Sequence, residues 1–175
     1  MLPVVAIVGR PNVGKSTLFN RLTRTRDALI SSYPGTTRDR QYGEVSLFDR
    51  RFIIVDTGGI TEESFPDEVG KLITQQALQA IQDADKIIFL VDARAGITPE
   101  DKSIAHTLRC SGKPILLAVN KTEGLDPALS VTEAFELGMG IPLPIAAVHG
   151  AGTSTLIETL FPSAPAQAAS EIEPS

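Results

Sequence analysis

The chain has 175 residues, enough for one compact domain with little left for a second. With 42% hydrophobic and 21% charged residues and a net charge of −5, it reads as a soluble globular protein. It lacks the overall basic surface that general nucleic-acid binding needs. No run reaches the about 18 apolar residues of a membrane span, and no secretory signal stands at the start. The single cysteine, Cys110, excludes an internal disulfide and reads as a small, partly buried side chain in a reducing compartment, so the expected location is the cytoplasm.

The first apolar run, Val4–Val8, reads as a buried strand. Directly after it stands Gly9-Arg10-Pro11-Asn12-Val13-Gly14-Lys15-Ser16, the pattern G-x-x-x-x-G-K-S/T, and then a helical stretch over 15–25. A Gly-rich turn lets main-chain N–H groups converge on phosphate oxygens, and the helix start adds the positive end of its dipole. Lys15 is placed to reach the β- and γ-phosphates and Ser16 to hold Mg²⁺, so the motif names a nucleoside triphosphate with its metal as ligand.

Residues 27–42 form a long loop, a length that in a compact domain points to function. Its segment Gly35-Thr36-Thr37-Arg38-Asp39 offers the Thr37 hydroxyl as a second metal ligand. Arg21, Arg24, Arg26, Arg38 and Arg40 fall close together, either as a local basic patch or as solvated surface arginines. The stretches 43–51 and 52–56 read as an antiparallel pair with a two-residue turn at Asp49-Arg50. Asp56 leaves a buried strand and is followed by Thr57-Gly58-Gly59; it can reach the metal through water, and Gly59 offers an N–H to the γ-phosphate. A second loop covers 58–66, and apolar spacing predicts a helix over 68–83.

A strand is predicted over 87–91, then a helix over 99–111 that starts with Pro and acidic residues. The strand 115–119 leads into Asn120-Lys121-Thr122-Glu123. A carboxylate here can accept two N–H bonds from guanine, a donor pair that adenine lacks. Lys121 can lay its stem over the base, and Asn120 can tie this loop to the phosphate loop. A helix over 127–137 stopped by Gly138, a strand over 143–147 and a helix over 153–161 complete the ordered chain. Residues 162–175 have almost no apolar side chains and read as a disordered inter-domain linker or tail, leaving 1–161 as the domain. His106 reads as a surface or interface residue and His149 as structural. Alternating strands and helices make an α/β fold of three layers, with a mostly parallel six-stranded sheet and one antiparallel edge strand.

The four segments, in this order, resemble the small GTPases, with a Ras-like G domain as the implied fold. The wording of 8–22, 34–40 and 56–60 resembles the TrmE–Era–EngA group. Val91-Asp92-Ala93-Arg94-Ala95-Gly96 and Ile145-Ala146-Ala147-Val148-His149-Gly150 resemble, more narrowly, the first G domain of the EngA (Der) family. The resemblance implies that Gly9, Arg10, Pro11, Asn12, Val13, Gly14, Lys15, Ser16 and Thr17 wrap the phosphates. It implies Mg²⁺ on Ser16 and Thr37, with Asp56 behind a water, and a γ-phosphate contact at Gly59 beside Thr57, Gly58 and Ile60. It places guanine on Asn120, Lys121 and Glu123, with Ala146 and Ala147 at its O6, and K⁺ on Asn12. Lys15, Asn12, Thr37 and Gly59 are the implied catalytic set.

Two positions depart from the pattern. Ile60 stands where Ras-like proteins keep a water-orienting Gln, and Glu123 stands where Asp is expected. The implied partners are GTP and GDP, a second G domain and a KH-like domain in a longer protein, and the large (50S) ribosomal subunit, with no membrane. Two readings of activity stay open: a slow GTP-hydrolysing switch acting in large-subunit assembly, and a nucleotide-dependent binding module with negligible hydrolysis in isolation.

Overall fold

The computed structural model describes residues 2–23, 30–31, 41–57 and 75–162. Its elements are β1 (Val4–Val8), α1 (Lys15–Thr23), β2 (Ile30–Ser31), β3 (Gln41–Leu47), β4 (Arg50–Asp56), α2 (Gln75–Asp83), β5 (Lys86–Asp92), α3 (Pro99–Ser111), β6 (Ile115–Asn120), α4 (Pro127–Ser130), a 3₁₀ turn (Glu133–Leu137), β7 (Leu143–Pro144) and α5 (Thr153–Leu160). The sheet runs in the order β2-β3-β4-β1-β5-β6-β7. The neighbours β4-β1-β5-β6-β7 pair in parallel, while β3 runs against β4. The six expected strands are all present, the last as Leu143–Pro144 only, shorter than the expected 143–147, because the chain turns at Ala146-Ala147. The two-residue β2 adds a seventh outside β3, so the antiparallel strand lies one place in from the edge.

Successive side chains of a strand face opposite sides, and β1 shows how the two layers of helices arise. Val5 and Ile7 pack with Leu18, Phe19 and Leu22 of α1 and Leu156, Ile157 and Leu160 of α5. Ala6 and Val8 pack on the other face with Ile81 of α2, Ile104 and Leu108 of α3 and Leu137. Fully buried strands need continuous apolar runs, which β1, β5 and β6 have. Strand β1 lies between β4 and β5, so the chain reverses its direction of travel across the sheet there. In open α/β sheets that switch point, at the C-terminal strand ends, is where a crevice for ligand forms.

Three local expectations shift. The hairpin turn is Phe48-Asp49, one residue earlier than expected, because Leu47 pairs with Arg50. Both turn residues have positive φ, 52° and 64°, as a turn matching strand twist requires. The predicted helix over 127–137 splits: α4 starts on an Asp126 cap, and a separate 3₁₀ turn ends at Gly138. Ser130, Val131 and Thr132 are poor helix formers, and Thr132 Oγ1 bonds back to the carbonyl of Ala128. Cys110 is exposed, not partly buried, because α3 turns Ile104, Ala105 and Leu108 inward instead.

The end of α5 is held at the N-terminal edge of the sheet. The Phe161 ring packs on Phe52 with centroids 5.0 Å apart, and Lys86 Nζ sits 4.5 Å over it. Lys86 donates to the carbonyl of Leu160, and Arg50 Nε to that of Phe161 at 2.9 Å. Helix α5 has no basic residue in its last turn, and these two cations satisfy its terminal carbonyls instead.

Candidate functional site

The C-terminal ends of β1, β4, β5 and β6 bring the sequence motifs together. The loop 9–14 leaves β1 and feeds α1, and two glycines are required by close approach. A Cβ at Gly9 would stand 2.6 Å from the carbonyl oxygen of Leu90. One at Gly14, whose φ is +104°, would stand 2.3 Å from Asn120 Nδ2. Asn12 adopts φ +72°, a left-handed conformation that Asn tolerates better than most residues.

Lys15 is 3% exposed, and its ammonium donates to the carbonyls of Gly9 at 2.9 Å and Arg10 at 2.8 Å. The loop thus curls round its own lysine. Ser16 and Thr17, on the first turn of α1, are exposed. Ser16 Oγ donates to Asp56 Oδ2 at 3.2 Å, joining the start of α1 to the end of β4. Asp56 is 4% exposed, and the neighbouring Thr57 hydroxyl donates to the carbonyl of Ile7 at 2.8 Å.

On the β6 side, Asn120 is buried and bridges two loops. Its Nδ2 donates to the carbonyl of Val13 at 3.0 Å, and its Oδ1 accepts from the N–H of Ala147 at 2.9 Å. Ala146 and Ala147 are buried, and the Ala146 N–H donates to the carbonyl of Ala151 at 2.9 Å. Lys121, with φ +69°, donates to the carbonyl of Asn12 at 2.8 Å and pairs with Asp92 Oδ2 at 3.1 Å. Glu123 is partly buried, and its Oε1 is buried without a hydrogen-bond partner. Asp126 is committed to capping α4 through the N–H of Ala128, so it does not stand in for Glu123.

Asp92 carries no role in the motif reading, yet it organises this corner. Its Oδ1 accepts from the N–H groups of Arg94 at 2.7 Å and Ala95 at 3.3 Å. Burial pushes its carboxyl up; the Arg94 N–H, the hydrogen bond and charge of Lys121 and the Ala95 N–H together outweigh burial. The net result lies below the ordinary 3.8. Arg94 in turn donates to the carbonyl of Glu123. The signal was available: Asp92 leaves a buried strand into a turn, as Asp56 does. Arg21 is also committed, donating to the carbonyls of Ala147 and Val148. It braces the 146–150 loop from α1, so of the five clustered arginines this one is structural. Arg24, Arg26, Arg38 and Arg40 lie outside the described residues, as do Thr37, Gly58, Gly59 and Ile60. His106 and His149 are exposed.

The geometry therefore joins Gly9 to Thr17, Asp56, Thr57, Asn120, Lys121, Glu123 and the Ala146-Ala147 turn at one edge of the sheet. Comparison with known proteins finds relatives over most of the chain. GTPase Der of Shigella flexneri serotype 5b is 56% identical over 158 residues, which are 90% of this chain and 32% of that protein. GTPase Der of Escherichia coli strain K12 is 55% identical over the same shares. The chain thus spans about a third of the length of the curated relatives it matches. Among solved structures, Era in complex with MgGDPNP and a stretch of 16S ribosomal RNA superposes with a TM-score of 0.72 at 35% identity, over 91% of this chain and 55% of that one. A point variant of Aquifex aeolicus Era bound to GDP.AlF4⁻ gives 0.70 at 34% identity, over 91% and 56%. The family profile described as 50S ribosome-binding GTPase matches residues 4–121, and the chain belongs to that family of GTP-binding proteins.

Proposed function

We propose that this domain binds GTP with Mg²⁺, hydrolyses it slowly, and acts as a switch within a longer protein that works in assembly of the large ribosomal subunit. The observation that carries the reading is the 3.2 Å contact between Ser16 Oγ and Asp56 Oδ2. Two hard oxygen donors from two separate motifs meet beside a phosphate-type loop, which is the donor chemistry that Mg²⁺ selects. In this reading Ser16 and Thr37 hold the metal directly and Asp56 holds it through a water. The metal, when bound, neutralises the charge on the β- and γ-phosphates.

The residues of this chain then divide the work. Main-chain N–H groups of the non-proline residues from Gly9 to Thr17, at the start of α1, hold the phosphates. Lys15 exchanges its carbonyl partners for phosphate oxygens, and Gly59 donates to the γ-phosphate. Glu123 accepts from the guanine edge; its Oε1, buried without a donor, supports that role. Lys121 lies along the base, Asn120 fixes the spacing between base and phosphates, and the Ala146-Ala147 turn lies at O6. Asn12 offers a neutral oxygen of the kind K⁺ takes, and positive charge beside the phosphates would stabilise the transition state. Ile60 cannot orient water by hydrogen bonding, which supports a slow rate.

The family description and the greater length of the relatives support a second G domain, a KH-like domain and the 50S subunit as partners. A role on the ribosome places the protein in the cytoplasm in this reading. The test is calorimetric titration of the chain with GTP, GDP and ATP in the presence of Mg²⁺ and K⁺. Guanine nucleotides are expected to bind and ATP to bind more weakly; equal affinity for ATP and GTP overturns the assignment.

A further inference from the structure

We propose that Arg10 and Asp101 form a positioning pair through which the start of α3 sets the phosphate loop and governs how long a nucleoside diphosphate stays bound. The inference rests on the reading of residues 9–17 as the phosphate site.

Arg10 Nε donates to Asp101 Oδ1 at 3.1 Å, across 91 residues of sequence. The Asp101 side chain is 0% exposed. Its other oxygen, Oδ2, accepts from the N–H of Thr98 at 2.9 Å and the Thr98 hydroxyl at 3.1 Å. The N–H of Asp101 donates back to Thr98 Oγ1, closing a capping box at the start of α3. A capping box uses one carboxylate oxygen and leaves the second for solvent. Here the second is buried and given to the phosphate loop. An anion bonded at both oxygens in a helix cap is immobile, as an anchor must be.

The Arg10 side chain is drawn in at a cost. Its Nη2 is buried with no hydrogen-bond partner. A buried pair with an unsatisfied nitrogen is weak ground for stability, since desolvation offsets most of the attraction. Fixing a position is what remains for such a pair to do. The position it fixes matters, because the Arg10 carbonyl is one of the two that receive the Lys15 ammonium. Moving Arg10 moves the seat of Lys15. The same β5–α3 connection also holds Lys121 through Asp92 and Glu123 through Arg94, so it grips both halves of the site.

The experiment measures release of a fluorescent GDP, N-methylanthraniloyl-GDP, from the 175-residue chain and from Arg10→Met, Arg10→Lys, Asp101→Asn and the Arg10→Met/Asp101→Asn double variant. Thermal midpoints of the nucleotide-free proteins are measured alongside. Each of Arg10→Met and Asp101→Asn is expected to speed release about fivefold or more, and the double variant no more than the faster single one, as for two residues acting as a unit. Arg10→Lys, which keeps the charge, is expected to recover most of the loss. Release unchanged in both single variants overturns the inference. So do fully additive effects, or accelerations that follow the midpoints and are not recovered by Lys. If one single variant does not fold, the other and Arg10→Lys decide by the same criteria. Failure of the parent chain to bind the GDP analogue overturns the phosphate-site reading and this inference with it; binding with unchanged release overturns this inference alone.

Discussion

Asn120 and Val13 are 107 residues apart in sequence and joined by a buried hydrogen bond of 3.0 Å, from the side-chain Nδ2 to the main-chain carbonyl. The same carboxamide accepts from Ala147, so one side chain closes three loops on each other. Replacing Asn120 with Ala leaves the Val13 carbonyl and the Ala147 N–H buried without this partner. The expected cost is about 2–4 kcal/mol of unfolding free energy, read by urea titration of the nucleotide-free chain. A loss within the error of the titration shows that the loops do not depend on this bridge.

Lys15→Met keeps an unbranched apolar stem out to Cε but removes the ammonium. Affinity for GTP is expected to fall by about a hundredfold or more, equivalent to roughly 2.7 kcal/mol, since charge-assisted bonds to phosphate disappear. Unchanged GTP affinity by calorimetry would falsify the phosphate-loop assignment.

Glu123 is one methylene longer than the Asp that the sequence resemblance leads one to expect at this position. If its carboxylate is displaced from the guanine edge, Glu123→Asp raises the preference for GTP over ATP by about ten- to a hundredfold, or about 1–3 kcal/mol. The ratio of the two dissociation constants is the measurement. A ratio that falls on substitution shows that this backbone is built for Glu.

Asn12 bears on the monovalent ion. Phosphate release from GTP is expected to be faster in KCl than in NaCl at equal ionic strength, and Asn12→Ala is expected to remove the difference. Turnover that is equally fast in both salts removes the case for K⁺, and none in either favours a binding module.

Asp92 makes acid stability a reporter of the base-side corner. Its carboxyl lies below the ordinary 3.8 when folded. Its contribution is therefore complete above that unfolded value and is lost as pH falls through the lower folded one. Asp92→Asn should flatten the acid limb, with a smaller drop in unfolding free energy between about pH 5 and pH 3 than in the parent chain. Parallel curves would show that the charge of Asp92, held by the Arg94 N–H, Lys121 and the Ala95 N–H, contributes nothing to folding.

The fold was readable where pattern and environment agree. Residues 4–8, 87–91 and 115–119 are apolar throughout because both faces of a central parallel strand are covered. Helix α3 was legible to its last residue because Thr98, Pro99, Asp101 and Gly112 mark both ends locally. The split after Ser130 was harder, since a helical apolar spacing survives across a chain too poor in helix formers to stay continuous. The site followed the same division. Gly9, Lys15, Ser16, Asp56 and Asn120 act through local motifs that spacing reveals. The Arg10–Asp101, Asp92–Lys121 and Arg94–Glu123 contacts are set by the order of strands, which no local window contains.

The two cations that seat Leu160 and Phe161 belong to Arg50 and Lys86, at the starts of β4 and β5, whereas Asp56 and Asp92 lie at the far ends of those same strands. Phe161 is therefore seated across the full strand length from the loops proposed to contact nucleotide. Immobilising the domain through a coupling group on that side of the sheet should leave association and dissociation of nucleotide as they are in free solution.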